Sequence, residues 1–141
     1  MTSKFEVRQF SIDDAIQVGD LLQVVSSFQL SPLEAQNAAK KFIGQHGTHA
    51  FVAVKGGQII GYGSVIGFVR VRGGRSAVIE DMVVAKKFQG KGVGKRILAE
   101  LIKSAQVEGC FKVSLESSDN ARTFYLAAGF EYGGESMKFF L

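Results

Sequence analysis

Two glycine pairs divide the middle of the chain into three strand-like segments. Gly56-Gly57 separates residues 50–55 from residues 58–66, and Gly73-Gly74 precedes a third segment, residues 77–84. A two-residue Gly-Gly connection between β-rich runs favours a tight hairpin. The middle of the chain is therefore predicted to form an antiparallel meander.

Strand and helix patterns flank this meander. Before it, a period-two strand is predicted over Phe5–Phe10, followed by two helices, the second beginning at the capping box Ser31–Glu34. After it, apolar residues from Val93 to Ala105 recur at helical spacing. A strand over Phe111–Glu116 and a short helix over Asp119–Ala128 are predicted to follow.

The order of these elements predicts the fold class. A meander followed by a strand–helix–strand crossover is typical of an α/β (α+β) fold with a mixed sheet and helices on both faces. From Phe130 the tail is predicted to add one or two strands, broken by Gly133-Gly134. A length of 141 residues fits a single domain over residues 1–141.

Composition excludes several classes of protein. One cysteine, Cys110, excludes an internal disulfide, and the two histidines, His46 and His49, lie in a glycine-flanked stretch predicted to be a solvated loop, so we expect no metal. No run approaches the ~20 apolar residues of a membrane span, and the N-terminal segment lacks a signal peptide's apolar core. With a net charge of only +4, we expect a soluble, cytoplasmic protein that binds small anions, with no nucleic-acid or membrane partner.

A glycine-rich turn, Gln89–Lys95, lies between the third meander strand and the next helix. Glycines let a backbone approach an anion closely, and the first amides of a helix are unpaired donors. The spacing matches neither the P-loop nor the dinucleotide fingerprint. The turn is predicted to bind a pyrophosphate, with a solvated turn as the alternative; the cations around it are Lys86, Lys87, Lys91, Lys95 and Arg96.

Glu80 and Asp81 are adjacent acids in an otherwise apolar strand. Neighbouring side chains of a strand face opposite sides, so at least one would be buried unless the strand is distorted or lines a cleft. The pair therefore indicates a functional site, and surface acids are the alternative interpretation.

Two motifs resemble those of the GNAT acetyltransferases. Gln89-x-x-Gly92-x-Gly94 matches their acetyl-CoA signature Q/R-x-x-G-x-G/A, and Phe124–Phe130 resembles their FYxxxGF segment. The element order is similar along essentially the full chain. Within this family, Ile79–Val84, Gln89–Lys95 and Cys110–Glu116 are similar to the glucosamine 6-phosphate N-acetyltransferases.

The resemblance implies acetyl-CoA as the co-substrate. Its pyrophosphate would bind at Gln89 and the amides of Gly90, Lys91, Gly92, Val93, Gly94 and Lys95, and its pantetheine arm would pair with the backbone of Met82, Val83 and Val84. Tyr125 matches the family's tyrosine that hydrogen-bonds the CoA sulfur and protonates the leaving thiolate. A buried core aromatic is the alternative interpretation of Tyr125.

The resemblance also implies an acceptor, the amine of D-glucosamine 6-phosphate, whose acetylation lies on the route to UDP-N-acetylglucosamine. Glu80 and Asp81 would bind sugar hydroxyls and orient or deprotonate the amine, and further substrate positions fall on Ser26, Phe111, Lys112 and Glu116. The family's C-terminal phosphate-binding arginine falls on Phe140, so the phosphate is predicted to bind Arg70, Arg72 or Arg75, with solvated arginines as the alternative.

Two other functions remain open at this point. One is a GNAT enzyme that acetylates another small amine, such as a polyamine, or a protein N-terminus. The other is an acyl-CoA-binding module without turnover. Cys110 opens a strand with no histidine nearby in sequence, so direct transfer without a covalent intermediate is expected. The resemblance and the apolar tail predict a homodimer; the tail residues are Met137, Phe139, Phe140 and Leu141.

Overall fold

A computed structural model describes residues 4–25 and 27–141 of the chain. It contains a five-stranded sheet with the order β1-β2-β3-β4-β5. This confirms the predicted α/β class and the predicted order through the last helix. The elements are β1 (Glu6–Gln9), α1 (Ala15–Leu22), α2 (Pro32–Ile43), β2 (Thr48–Lys55), β3 (Gln58–Val69), β4 (Arg75–Val84), α3 (Val93–Val107), β5 (Cys110–Ser114) and α4 (Arg122–Ala127).

Strands β1 to β4 are antiparallel neighbours, and β5 returns parallel to β4 after the crossover through α3. The β2–β3 connection has positive φ at both of its glycines, 57° at Gly56 and 78° at Gly57. Two consecutive positive φ values are the requirement of the hairpin turn whose twist matches that of its strands. The predicted meander is therefore confirmed.

Helices cover both faces of the sheet. On one face α3 buries an apolar stripe that includes Ile97 and Leu101. The helix can lie close to β3 because Gly63 has no side chain. A Cβ at this position would stand only 2.9 Å from the Ile97 Cγ2 of α3 and 2.8 Å from the Met82 sulfur of β4. On the opposite face, Val18 of α1 packs with residues of β2, β3 and β4.

The prediction of tail strands from Phe130 is wrong. Residues 130–141 contain no helix or strand. A strand requires a backbone partner, and no described segment of the chain pairs with the tail. The side chains of Met137, Phe139 and Phe140 are 86–90% exposed.

An ion cluster lies where β2 and β4 begin and α3 ends. The Glu108 carboxylate accepts hydrogen bonds from Arg75 Nη2 at 2.9 Å and from the His49 ring. The bond to His49, assisted by the charges of His49 and Arg75, holds the pKa of Glu108 below its usual value. His49 is thus part of β2 and not of a solvated loop as predicted, and Arg75 is engaged by a carboxylate of its own chain.

The Glu108→Gln variant is expected to lower the free energy of unfolding by about 1–3 kcal/mol at pH 7, because Arg75 loses its charged partner. Since the folded pKa is depressed, this contribution is present above the unfolded value of 4.5 and is lost as the pH falls through the folded value. Urea titrations at pH 7 and at several values below 4.5 measure the difference, which should shrink on acidification.

Glu6→Gln on the exposed edge of β1 is the control, and it should change stability by less than about 0.5 kcal/mol. A Glu108→Gln protein as stable as wild type at pH 7 would show that the cluster contributes nothing to the fold.

Candidate active site

The glycine-rich turn forms the N-terminus of α3. Gly92 is the N-cap residue of α3, with a φ of 87°, and no side chain caps the helix. The amide of Gly92 and the amides of the first helical turn are therefore free to bind an external acceptor. Gln89 donates from Nε2 to the Val84 carbonyl at 3.1 Å. The Gln89 side chain therefore fixes the turn to the end of β4, and the turn presents backbone donors outward.

Lysines surround this turn. The ammonium groups of Lys87 and Lys91 lie 5.4 and 6.0 Å from the centre of the Phe88 ring, and that of Lys55 lies 5.4 Å from it. Lys55 comes from the end of β2, about 30 residues earlier, and no local pattern linked it to the turn. The fold therefore adds one cation to those expected from sequence.

Strands β4 and β5 separate beside the turn. Their ladder runs from Arg75–Cys110 to Val78–Ser114, and β4 continues for six residues beyond it. On one side Val83 and Val84 pair with β3, and Met82 lies at the register shift between those strands. On the other side the backbone of Met82–Val84 is beyond the ladder with β5 and faces an opening. An unpaired strand edge of this kind can hydrogen-bond an extended amide-containing ligand.

The acid pair lies on a β-bulge in this unpaired part of β4. The register with β3 shifts between Tyr62 and Ser64, and Asp81 has a φ of 56°, the one positive value among the described non-glycine residues. Ile79 and Met82 consequently both pack toward α3, although three positions apart. Glu80 and Asp81 between them are both exposed, so the distortion removes the burial that regular alternation would impose.

Two carboxylates, those of Asp81 and Glu116, act on the carboxyl group of Glu80. Although Glu80 is exposed, the partial loss of water around its carboxyl group, and then the charges of Asp81 and Glu116, raise the pKa of this group. A carboxylate whose pKa is raised in this way takes up a proton more readily near neutral pH. The arrangement is suited to binding a cationic or hydroxyl-rich ligand and to accepting a proton from it.

Tyr125 and Glu116 line one cavity of about 630 Å³, formed by the end of β5, α4 and the first part of the tail. The Tyr125 ring is 8% exposed and packs edge-to-face on Phe124 and Phe130, with centroid distances of 5.0 and 5.6 Å. Burial raises the pKa of its phenol, so the group remains a proton donor.

Glu116 also contacts the tail. Its carboxylate accepts a hydrogen bond from Ser136 Oγ at 2.6 Å and pairs with the Lys138 ammonium group. The bond from Lys138, and then the bond from Ser136, lower the pKa of Glu116. Sequence reasoning did not connect these tail residues with Glu116, because the tail has no periodic pattern that fixes its position.

The remaining substrate candidates lie at the other end of β4, around the β3–β4 hairpin. Arg70 donates from Nη1 to Ser76 Oγ at 3.3 Å, and Arg75 pairs with Glu108. Since a strand rises about 3.3 Å per residue, Arg75 lies about 17 Å along β4 from Glu80. The other candidates at this end are Arg72 in the hairpin turn and Phe111 and Lys112 in β5.

The structure thus divides the candidates into two groups. The first group surrounds the opening between β4 and β5 and consists of the turn, the unpaired edge of β4, the acid pair, Glu116 and Tyr125. The arginines, Phe111 and Lys112 surround the hairpin. Ser26 lies outside the described residues.

Metal-ligating clusters and membrane-spanning helices are both absent from residues 4–25 and 27–141. No group of three or more His, Cys, Asp or Glu side chains in this part of the chain is placed to hold a metal ion. None of its helices is both long and apolar enough to cross a bilayer.

Comparison with known proteins identifies similar sequences and folds. The sequence model of the acetyltransferase (GNAT) domain matches residues 21–139. Glucosamine 6-phosphate N-acetyltransferase of Trypanosoma brucei brucei is 34% identical over 93 residues, which are 64% of this chain and 63% of that protein. Glucosamine 6-phosphate N-acetyltransferase 1 of Dictyostelium discoideum is 33% identical over 112 residues, 77% of this chain and 71% of that protein. The chain therefore spans slightly less than two thirds of the trypanosome relative.

A solved structure has the same architecture. The crystal structure of a Trypanosoma brucei acetyltransferase superposes with a TM-score of 0.89 at 28% sequence identity, and the match covers 98% of this chain and all of that one. The two chains therefore share one fold throughout the matched length.

Proposed function

The chain belongs to the GNAT acetyltransferase family, and on that premise we propose that it transfers the acetyl group of acetyl-CoA directly to the amine of glucosamine 6-phosphate. The observation that carries this proposal is the bulge in β4, which exposes Glu80 and Asp81 together beside the opening between β4 and β5. Relatives at 33–34% identity that bear the name of this activity support the choice of acceptor.

The donor side of the site fits acetyl-CoA. The uncapped amides between Gly90 and Lys95 bind its pyrophosphate, and the lysines around Phe88 add positive charge. The unpaired edge of Met82–Val84 hydrogen-bonds the amides of its pantetheine arm. When bound, acetyl-CoA supplies a thioester whose carbonyl carbon is open to attack by an amine.

Protein side chains move two protons in the reaction. Glu80 accepts the proton that the amine loses when its nitrogen bonds the acetyl carbon, and Asp81 beside it binds the acceptor. Tyr125 donates a proton to the sulfur as the carbon–sulfur bond breaks. The raised pKa of Glu80 suits it to the first step, and the raised pKa of Tyr125 keeps its proton available for the second.

A thiol-release assay tests this function and its alternatives. Wild-type protein is given acetyl-CoA with glucosamine 6-phosphate, glucosamine, a polyamine or a peptide with a free N-terminus. Fastest release with glucosamine 6-phosphate is the expected result. Preference for another amine would overturn the acceptor, and CoA binding without release on any amine would identify a binding module.

We also propose that the protein is a homodimer held by its apolar tail. Phe139, Phe140 and Leu141 are at least 86% exposed in the single chain. Contact with a second copy would remove this apolar surface from water. Light scattering at micromolar concentration should give the mass of a dimer for the full chain and of a monomer after deletion of residues 139–141. Val107→Ser, which removes an 81% exposed apolar side chain from α3, should leave the dimer intact. A full chain that is monomeric would contradict the proposal.

The phosphate of the acceptor is assigned to Arg70 and Arg72. Hydrogen bonds to charged groups contribute about 1.5–3 kcal/mol, so Arg70→Ala or Arg72→Ala should raise KM for glucosamine 6-phosphate about 10–100-fold. The KM for glucosamine, which has no phosphate, is the control and should change little. Arg75→Ala is unsuitable because it also removes the partner of Glu108.

This assignment depends on the dimer. The hairpin lies about 17 Å from the acid pair within one chain, so a second copy must bring its own hairpin to the acids. If both arginine variants discriminate between the two sugars as wild type does, another group binds the phosphate.

A further inference from the structure

The bulge that carries the acid pair has a side-chain contact from the neighbouring strand. Ser64 of β3 is fully buried, with 0% of its surface exposed, and its Oγ donates a hydrogen bond to the Glu80 carbonyl at 2.9 Å. A buried hydroxyl is costly unless it is bonded. The Glu80 carbonyl accepts the hydrogen bond that this hydroxyl donates.

The position of this bond explains its effect. Ser64 lies directly opposite Glu80 in the β3–β4 register, immediately after the register shift. A bulge adds a residue to one strand and leaves backbone groups of the ladder without regular partners. The Ser64 hydroxyl supplies a donor to the carbonyl that immediately precedes Asp81, the residue with the left-handed φ of 56°.

A second buried hydroxyl lies beside the first. Tyr62, two residues earlier on the same face of β3, is 5% exposed and interacts with the Ser64 side chain and with the charge of Asp81. Burial raises the pKa of Tyr62 to about 12, so its phenol remains neutral. The segment that carries the acid pair is therefore next to two neutral hydroxyls of the adjacent strand, that of Ser64 at Glu80 and that of Tyr62 near Asp81.

We propose that Ser64 is a positioning residue, whose hydroxyl holds the β4 bulge in the form that places Glu80 and Asp81 together at the acceptor side of the site. The inference rests on the proposed role of these acids toward the amine. It concerns Ser64 alone, which neither motif includes and which was not a candidate from sequence.

Three variants test the role of this hydroxyl. Ser64→Ala removes it, Ser64→Thr retains it, and Ser104→Ala is the matched control, since Ser104 Oγ donates to the Glu100 carbonyl of α3, also at 2.9 Å. In Ser64→Ala, kcat/KM for the amine should fall about 10-fold, which corresponds to about 1.4 kcal/mol. The calorimetric Kd of CoA should change less than about twofold, because the bulge lies at the acceptor side of the site. Ser64→Thr and Ser104→Ala should stay within about threefold of wild type.

Unchanged amine kinetics in Ser64→Ala, or equal losses in the alanine and threonine variants, would overturn the proposal. So would an equal loss in Ser104→Ala, because the removal of any serine hydroxyl that donates to a backbone carbonyl would then have the same effect.

Crystal structures of wild type and Ser64→Ala separate this inference from the proposed function. The expected result is that Asp81 leaves the left-handed region, or that the two carboxylates move apart, when the hydroxyl is removed. An unchanged bulge would overturn the inference even if the enzyme acetylates glucosamine 6-phosphate. A wild-type protein without acetyltransferase activity would instead overturn the proposed function, and the structures would still decide whether Ser64 holds the bulge.

Discussion

Replacing Gly92 with valine is expected to weaken CoA binding at least about 100-fold. The residue caps α3 with a φ of 87°, a conformation that a β-branched side chain adopts only under strain, so the first amides of the helix would turn away from the ligand. The loss of two charge-assisted hydrogen bonds, at about 1.5–3 kcal/mol each, gives a factor of this size or larger. Isothermal calorimetry with CoA measures it.

Gly109→Val is the matched control. Gly109 lies at the other end of α3 with a φ of 79°, and neither glycine has an atom within 4 Å of the site of an added Cβ. Both variants should lose similar stability, and only Gly92→Val should lose affinity. Gly94 is less suitable, because its added Cβ would stand 3.3 Å from the Phe124 ring. Unchanged affinity in a folded Gly92→Val protein would show that CoA binds elsewhere.

Tyr125→Phe is expected to lower kcat by about 10–100-fold while acetyl-CoA still binds, since general acid catalysis typically contributes factors of this order or somewhat larger. The ring is 8% exposed between Phe124 and Phe130, so phenylalanine retains the packing and loses only the hydroxyl. Single-turnover kinetics with saturating acetyl-CoA isolates the chemical step from product release.

The acidity of the leaving thiol provides a second measurement on this variant. If the phenol protonates the thiolate, acetyl thioesters that release a more acidic thiol than CoA should be less sensitive to its removal. A Tyr125→Phe protein with full activity on acetyl-CoA would mean that water, and not Tyr125, supplies this proton.

Local patterns were sufficient to predict most of the fold. The glycine pair at residues 56–57 marked the β2–β3 turn, and the apolar stripe of α3 marked the helix that crosses from β4 to β5. These signals lie within single elements, where periodicity and turn chemistry act directly. The tail carried no such signal, and its strands were predicted wrongly.

The sequence also indicated that the strand carrying Glu80 and Asp81 is unusual, but it could not show whether these acids are buried or the strand is distorted. Adjacent acids in an apolar strand required either burial or distortion, and the structure has the distortion, at Asp81. The position of the bulge depends on β3, where the register shifts before Ser64. Pairing between strands cannot be obtained from the pattern of one strand alone.

Long-range contacts were beyond sequence reasoning. Glu108 lies 33 residues from Arg75 and 59 from His49, and no motif connects the three. Arg75 was a candidate for phosphate binding because arginine suits phosphate, which is true of any unengaged arginine. The partner of a charged side chain is decided by the fold.

The unpaired edge of β4 has a consequence for how readily this chain can change its acceptor. The proposed contacts to the donor are made by main-chain groups of Met82–Val84 and of the turn, which remain when most side chains there are exchanged. The groups assigned to the acceptor are side chains carried by the β4 bulge and by the β3–β4 hairpin. Substitutions in those two segments would therefore alter which amine is recognised while leaving acyl donor recognition intact, so new specificities become accessible through few substitutions.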